Sequence, residues 1–368
     1  MARSAAGIAG AAKRDLWPRC VCRRASRVVA PLSIRLPGPR LSMLLTLSFL
    51  LGLAVLIYLS CQYFVNAIEW CGRHLNLGAS AVGTVLAAFG TALPESAVTL
   101  TAMAFGDTPQ HKDIGVGAAL GGPLVLATLA YAVVGFALWR NRSRLGRRDY
   151  LLRVDHRRLA GDQLAFLLVF ALKVVLGLVA FAIKPWLGVL FLAAYAAYVW
   201  REIRSADTAP EEEELDALKL RAGGGLGWAV AQASLALVVI AVAAHGFVAQ
   251  LEALAGHWGM APHLVALLLS PVATELPEIM NALIWLRQGK ERLALANISG
   301  AMMIQATIPS AFGLFFTPWL FDSVLLWSGL ATMAAIVGLW LLFRRGNVDG
   351  RWLLGAGAVY LLFAGCLV

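Results

Sequence analysis

The sequence is poor in charged residues and in cysteine. Asp, Glu, Lys and Arg make up only 14% of its 368 residues, hydrophobic residues make up 60%, and the mean hydropathy is +0.74. Because soluble domains carry about 25% charged residues, a water-soluble fold is excluded. The five cysteines lack metal-ligand spacing, and the His-Glu-X-X-His and Gly-X-Ser-Gly protease motifs are both missing. We therefore expect a membrane protein that is not an enzyme and needs no cofactor.

The net charge of +10 is concentrated at the start of the chain. Residues 1–42 hold nine Lys or Arg residues and one acid, Asp15, whereas the remainder is nearly neutral. This leader is rich in proline and has no apolar face to bury, so we expect it to be disordered. A start-site artefact upstream of Met43 and a targeting segment are both open interpretations. The neutral remainder argues against a nucleic-acid partner.

Apolar stretches long enough to cross about 30 Å of hydrocarbon recur along the rest of the chain. They predict an all-α polytopic membrane protein with about ten transmembrane helices, at 43–67, 78–104, 114–139, 163–182, 184–200, 226–250, 260–286, 294–316, 319–343 and 351–368. The fourth and fifth spans are separated by a short turn in which Lys184 is expected to reach the headgroups.

The distribution of positive charge predicts the orientation. The loops after the odd-numbered spans carry nearly all the Lys and Arg that follow the leader, whereas those after even-numbered spans carry only Lys112 and Lys184. Positive residues are retained in the cytoplasm, so the N-terminus is predicted outside a bacterial inner membrane and the loop 201–225 inside. That acidic loop is predicted to be a linker between two five-span halves, 43–200 and 226–368.

A short motif occurs once in each half. Residues 90–95 read G-T-A-L-P-E in the second span, and residues 273–278 read A-T-E-L-P-E in the seventh. Because each half has an odd number of spans, the second copy crosses the bilayer in the opposite sense. The pattern predicts two inverted five-helix repeats, whose shared site lies near the membrane midplane.

The residue types of this motif predict a cation site. The proline in each copy removes a helical hydrogen bond, so each helix is expected to break there and to present a spare carbonyl. Glu95 and Glu278 supply charge beside the break, and Thr91 and Thr274 place hydroxyls on the same helical face. Glu275 adds a third acid. Such oxygen ligands suit hard ions such as Ca²⁺ or Na⁺.

Two intramembrane side chains have open roles at this stage. Lys173 in the fourth span is predicted either as a counter-ion for a carboxylate or as a side chain that extends out of the bilayer. Glu275 gives the site a third negative charge where Ca²⁺ neutralises two, so at least one of Glu95, Glu275 and Glu278 is expected to retain a proton and to couple transport to pH. The alternative is that Glu275 faces an aqueous vestibule as an ordinary ionised group.

The paired T-X-X-P-E motifs and the ten spans resemble the cation:calcium antiporter superfamily, specifically the membrane region of sodium/calcium exchangers. The resemblance implies that Glu95 and Glu278 are the central Ca²⁺ ligands and also share in sodium binding. It implies a full set of site residues at Ala88, Thr91, Glu95, Pro271, Thr274, Glu275, Glu278, Asn297 and Gln305.

This sequence departs from the family pattern at several polar positions. Non-polar or altered residues stand at Ala92, Ala118, Gly122, Pro123, Leu126, Ala301 and Met302. Glu275 stands where the family has a motif serine, and Gln305 where it has Asp or Asn. We predict a secondary antiporter that exchanges Ca²⁺ or another divalent cation for Na⁺ or H⁺ by alternating access. A monovalent cation/proton antiporter and a transport-inactive scaffold are the open alternatives. The expected partners are inorganic cations and the lipid bilayer, and the sequence predicts no oligomeric state.

Overall fold

The computed structural model describes residues 39–74, 79–141, 149–205, 217–221, 223–287, 289 and 291–367. The predicted leader up to residue 38 and the acidic stretch 211–214 lie outside the described residues. Within them the chain is helical, with one isolated bridge between Leu151 and Asp349. The α-helices in chain order are α1 (Pro39–His74), α2 (Ala79–Ala104), α3 (Pro109–Val125), α4 (Tyr131–Asn141), α5 (His156–Leu178), α6 (Gly188–Ser205), α7 (Leu226–Trp258), α8 (Pro262–Thr274), α9 (Leu276–Arg287), α10 (Glu291–Phe316), α11 (Ser323–Arg345) and α12 (Leu354–Leu367).

Each of the ten predicted spans coincides with helix, which confirms the all-α polytopic fold. The third span comprises α3, a π-helical turn at Leu126–Ala130 and α4, and the seventh comprises α8 and α9. Among the described residues, seven helical segments are long and apolar enough to cross a membrane, and the bent α8–α9 pair makes an eighth. Helices α2 and α6 lie at the second and fifth predicted spans. The protein is an integral membrane protein.

Local sequence signals set several helix ends. Helix α1 begins at Pro39, four residues before the predicted first span. Asp155 caps α5 by accepting hydrogen bonds from the Arg157 and Arg158 amides, each at 3.0 Å. Helix α7 ends at Gly259, whose φ of 63° is the left-handed conformation that glycine adopts at low cost.

The helices of the two halves pack in a symmetric pattern. The first helices of the halves pair with each other, as α1 with α7, and so do the fourth-span helices, as α5 with α11. The second span of each half packs on the third span of the other, as α2 with α10 and α8 with α3. Two repeats related by a two-fold axis give this pattern, and the arrangement agrees with the predicted inverted repeat.

Glycines permit the close approach of α3 and α8. A Cβ atom added to Gly117 would collide with the backbone of His263, and one added to Gly121 would collide with the Leu267 carbonyl. The two glycines are four residues apart and therefore lie on one face of α3. Small residues at this spacing let helix backbones come together inside a membrane.

Substitution of Gly117 by Ala is therefore expected to destabilise the protein, by roughly 1–3 kcal/mol, because the neighbouring atoms belong to backbone and cannot rotate away. Gly256→Ala in α7 is a matched control, since no atom lies within 4 Å of an added Cβ there. Thermal unfolding of the purified protein in detergent measures both. An equal melting temperature for the two variants would contradict this account of the α3–α8 contact.

Candidate cation site

The second copy of the repeated motif breaks its helix, whereas the first does not. Helix α8 ends at Thr274, α9 begins at Leu276, and the two axes differ by 41°. Helix α2 continues through Pro94 without interruption, so the predicted break is absent there. The sequence explains the difference, because the second copy has a further proline, Pro271, where the first has Ala88. Two prolines six residues apart remove two helical hydrogen bonds, and one removes a single bond.

The break brings residues of both repeats together. The Thr274 hydroxyl donates to Glu95 Oε2 across 2.6 Å, which joins α8 to α2. The same hydroxyl lies 3.4 Å from Glu275 Oε1 and 3.0 Å from the Ser270 carbonyl. Glu95, Thr274 and Glu275 are all buried, as is Ser270, whose hydroxyl also faces Glu95. The site therefore has acids from both halves within one hydrogen-bonded group.

Gly122 in α3 makes room for the side chains of Glu275 and Gln305. A Cβ atom at Gly122 would lie 2.7 Å from Gln305 Oε1 and 3.3 Å from Glu275 Oε1. The predicted loss of a polar ligand at this position is thus matched by the entry of two longer polar side chains from the other repeat. Two departures from the family pattern, Gly122 and Glu275, are explained together by this contact.

Several oxygen atoms in this group point to a ligand. Among the described residues, Glu95 Oε1 and Glu275 Oε2 accept no hydrogen bond of good geometry, although the Ser270 hydroxyl and the Gln305 amide face the two carboxyls. Buried carboxylate oxygens are costly unless they are paired or bind a cation. Carboxylate, hydroxyl and amide oxygens are the ligands of hard cations. The donor set fits Ca²⁺ or a monovalent alkali ion as a transported substrate.

Glu278 and Asn297 are two predicted ligands outside this hydrogen-bonded group. Glu278 is fully buried, one turn beyond Glu275, and lies within electrostatic range of the Cys61 thiol in α1. Asn297 is eight residues from Gln305 in α10, which separates the two by about 12 Å along the helix. In the described part of the chain, no three His, Cys, Asp or Glu side chains converge closely enough to hold a metal ion. One ion therefore contacts only part of the predicted set in this conformation.

The remaining predicted ligands have mixed outcomes. The Pro271 carbonyl accepts the Glu275 amide at 2.9 Å, so it is used within the helix rather than offered to an ion. The side chains of Ala88 and Thr91 lie outside the described residues. Ser270 was missed by the sequence analysis, although its position one helical turn before Thr274 is a signal that would have included it.

Lys173 is buried beside this group, which excludes the interpretation that it extends out of the bilayer. Its Nζ atom donates to the Ala119 carbonyl at 2.6 Å and lies 3.4 Å from the Gln305 carbonyl. The ammonium also lies 5.2 Å from the centre of the Phe170 ring and 5.8 Å from that of Trp319. Its hydrogen-bond partners are carbonyls rather than carboxylates, so the counter-ion interpretation stays a prediction.

The short turn before α6 also differs from expectation. Lys184 is buried and donates to the carbonyls of Val179, Pro318 and Trp319 at 2.6, 3.0 and 2.8 Å. The prediction that it reaches the headgroups is therefore wrong. Its ammonium ties the start of α6 to the segment between α10 and α11, because three carbonyls without helical partners are available there.

A cavity of about 360 Å³ opens near the ends of α3, α8 and α11. Its lining includes Asp113, His263 and Asp322, and the His263 ring lies 2.7 Å from the Asp322 carboxylate. Trp319 both lines this cavity and covers Lys173. Lys112 also lines the cavity, so its walls carry basic as well as acidic side chains.

The fold and the site together define a polytopic membrane protein with a buried, carboxylate-rich site between two repeats. The family model described as "Sodium/calcium exchanger protein" matches residues 44–204 and 228–368. The chain belongs to this family, which confirms the resemblance found in the sequence.

Individual relatives match nearly the whole chain. A putative antiporter CaxA of Alkalimonas amylolytica is 26% identical over 337 residues, covering 87% of this chain and 98% of the relative. The inner membrane protein YrbG of Escherichia coli strain K12 is 25% identical over 339 residues, covering 89% and 95%. Among solved structures, an H⁺/Ca²⁺ exchanger CAX has a TM-score of 0.59 at 19% identity, covering 89% and 90%. The sodium-calcium exchanger NCX_Mj has a TM-score of 0.56 at 21% identity, covering 89% and 99%. These two structures share the fold.

Proposed function

We propose that the protein is a secondary antiporter that exchanges a divalent cation, Ca²⁺ by ligand chemistry, for protons or Na⁺. The observation that carries the proposal is the hydrogen bond between Glu95 of one repeat and Thr274 of the other, with Glu275 beside it. A site made by both repeats is exposed to alternate sides when one repeat moves against the other. This is the arrangement that alternating access requires.

The ligand set supports a divalent substrate. Ca²⁺ takes about six to eight oxygen ligands. Glu95, Glu275, Thr274, Ser270 and the Gln305 amide together offer seven side-chain oxygens in and around the hydrogen-bonded group. Glu278 would add two more when a movement of α9 brings it to the ion. The family membership and the names of the relatives agree with cation transport.

Protons are proposed to drive the exchange at least in part. When Ca²⁺ leaves, the negative charge of the buried carboxylates must be neutralised by another cation, and protonation does this without further ligands. The first repeat offers few neutral oxygens for Na⁺, since Ala92, Gly122 and Leu126 stand at family polar positions. The space over Gly122 is taken by Glu275 and Gln305. We also propose the orientation that the positive charges predict, with the N-terminus outside the membrane.

Ion flux in proteoliposomes tests this function. Purified protein is reconstituted with Ca²⁺ on one side, and a Na⁺ gradient and a pH gradient are imposed separately. We expect Ca²⁺ movement driven by the pH gradient, with protein-free vesicles as the control. Na⁺ or K⁺ exchange against protons without Ca²⁺ movement would instead establish a monovalent cation/proton antiporter. The absence of any cation flux in vesicles with correctly folded protein would favour a scaffold.

A further inference from the structure

Two prolines create a pair of free carbonyls next to the candidate site. In an α-helix the carbonyl of each residue accepts from the amide four residues later. Pro123 is four residues after Ala119 in α3, and Pro309 is four residues after Gln305 in α10. Because proline has no amide hydrogen, neither the Ala119 carbonyl nor the Gln305 carbonyl has its usual helical donor.

Both free carbonyls face the same ammonium group. Lys173 Nζ lies 2.6 Å from the Ala119 oxygen and 3.4 Å from the Gln305 oxygen. Ala119 belongs to the first repeat and Gln305 to the second, so the ammonium lies between the repeats as the acids do. The faces of Phe170 and Trp319 complete its surroundings, and aromatic faces attract cations. Converging carbonyls and aromatic faces form a binding site for a single positive charge.

This site is adjacent to the carboxylates. Gln305 accepts from Lys173 with its backbone, while its side chain lies against Gly122 together with the Glu275 carboxyl. The region therefore contains three acids, Glu95, Glu275 and Glu278, and one buried ammonium, a net charge of −2 when all are ionised. A single Ca²⁺ ion neutralises that charge.

We propose that the Lys173 ammonium serves as a built-in monovalent cation of the transport site, tethered at the two proline-freed carbonyls. A site with the same three acids and no lysine would need a separate Na⁺ or a retained proton at this position. The divalent ion then binds without a monovalent co-ion. This inference rests on the proposed function, and it also accounts for the third acid without a retained proton.

Lys184 provides a matched control, because it separates the charge balance of the site from lysine burial as such. Its ammonium is also buried and donates to three carbonyls, those of Val179, Pro318 and Trp319. Replacing either lysine removes a buried charge and leaves carbonyls without a donor. Lys173, unlike Lys184, contacts Gln305, whose side chain lies beside the Glu275 carboxyl, so the removal of Lys173 is the one expected to change which ions the site needs.

The experiment compares Lys173→Met, Lys173→Gln and Lys184→Gln with the unmodified chain. Exchange of ⁴⁵Ca²⁺ for unlabelled Ca²⁺ across proteoliposomes is measured with either Na⁺ or N-methyl-D-glucamine as the only monovalent cation. This Ca²⁺-for-Ca²⁺ exchange does not require the driving ion to be transported, so its rate depends on the Ca²⁺-loaded site alone. We expect exchange by the unmodified chain and by Lys184→Gln to be the same in both salts. Exchange by both Lys173 variants is expected to rise about tenfold with Na⁺, because Na⁺ fills the vacated carbonyl site.

A second measurement keeps the inference separate from the proposed function. The melting temperature in detergent is recorded with Na⁺ or N-methyl-D-glucamine and without Ca²⁺. We expect Na⁺ to stabilise the Lys173 variants and not the unmodified chain, whether or not Ca²⁺ is transported. An unmodified chain that moves no divalent ion would defeat the proposed function, while a Na⁺ response confined to Lys173 variants would still support the tethered cation.

The charge-balanced variant Lys173→Gln/Glu275→Gln addresses a failure to fold. It removes one charge of each sign, so it is expected to fold and to bind Ca²⁺ without Na⁺. Folding of this variant where the single Lys173 variants fail would support the charge balance. Equal behaviour of the Lys173 variants in the two salts would overturn the proposal. Loss of folded protein in all Lys173 variants, including the balanced one, would show a purely structural lysine and would overturn it as well.

Discussion

Glu95→Gln is expected to lower divalent cation flux by about 100-fold or more while the protein still folds and inserts. Leaving a buried charge without its partner costs about 3 kcal/mol or more, and this corresponds to a factor of about 100 in affinity. Gln keeps an oxygen that accepts the Thr274 hydrogen bond, which is 2.6 Å long in the unmodified protein. The substitution therefore removes charge and preserves local structure.

The measurement is Ca²⁺ uptake into proteoliposomes, normalised to the amount of folded protein from size-exclusion chromatography. Glu291→Gln is a matched control, because Glu291 is also a buried acid. It lies at the start of α10 and accepts a hydrogen bond from the Arg153 amide at 2.8 Å, outside the hydrogen-bonded group of the candidate site. We expect Glu291→Gln to retain flux within a few-fold of the unmodified chain. Near-normal Ca²⁺ flux in Glu95→Gln/Glu278→Gln would remove this site from consideration.

The helices could be predicted because membrane spans depend on composition over some twenty residues. Each predicted span coincides with helix, and the short turn at residues 183–185 is present. The first apolar span begins at Met43 as predicted, although the helix α1 that contains it begins earlier, at Pro39. A helix can extend past the hydrocarbon edge at little cost, so hydropathy does not fix its first residue.

The motif chemistry could be predicted, but the pairing of its members could not. The sequence placed Glu95 and Glu278 at equivalent positions of two repeats, and the structure places Glu275 beside the Glu95–Thr274 bond. Equivalent positions in a repeat are related by symmetry, which does not require contact. The pairing accompanies the 41° bend at the second motif, which carries Pro271 and Pro277, whereas α2 carries Pro94 alone and continues without a break.

Lys173 was ambiguous in the sequence because its environment comes from other helices. Its own span shows only an apolar stretch with one lysine, a pattern that equally predicts a side chain reaching for the headgroups. The deciding carbonyls belong to Ala119 and Gln305, which are far away in sequence. The sequence nevertheless contained a signal, because Pro123 and Pro309 each leave the carbonyl four residues earlier without a helical donor.

Glu275→Gln is expected to weaken Ca²⁺ binding by about tenfold or more while transport remains pH-dependent. Glu275 is fully buried, which excludes the interpretation that it faces an aqueous vestibule. If it only retained a proton, its replacement by neutral Gln would leave the charge of the loaded site unchanged and would reduce the pH dependence. With Lys173 as the counter-charge, the substitution leaves the loaded site with one excess positive charge, and a tenfold loss of affinity corresponds to about 1.4 kcal/mol.

Ca²⁺ affinity is measured from the rise in melting temperature with Ca²⁺ concentration, and pH dependence from Ca²⁺ uptake between pH 6 and 8.5. Thr332→Val is a control for loss of a buried polar group in the bilayer, because the Thr332 hydroxyl bonds only to the Ser328 carbonyl of its own helix, at 2.8 Å. It should leave both quantities unchanged. Unaltered Ca²⁺ affinity together with a flattened pH profile in Glu275→Gln would contradict the role of Lys173 as counter-charge. It would show that Glu275 is protonated in the loaded site, because the substitution would then replace one neutral side chain by another.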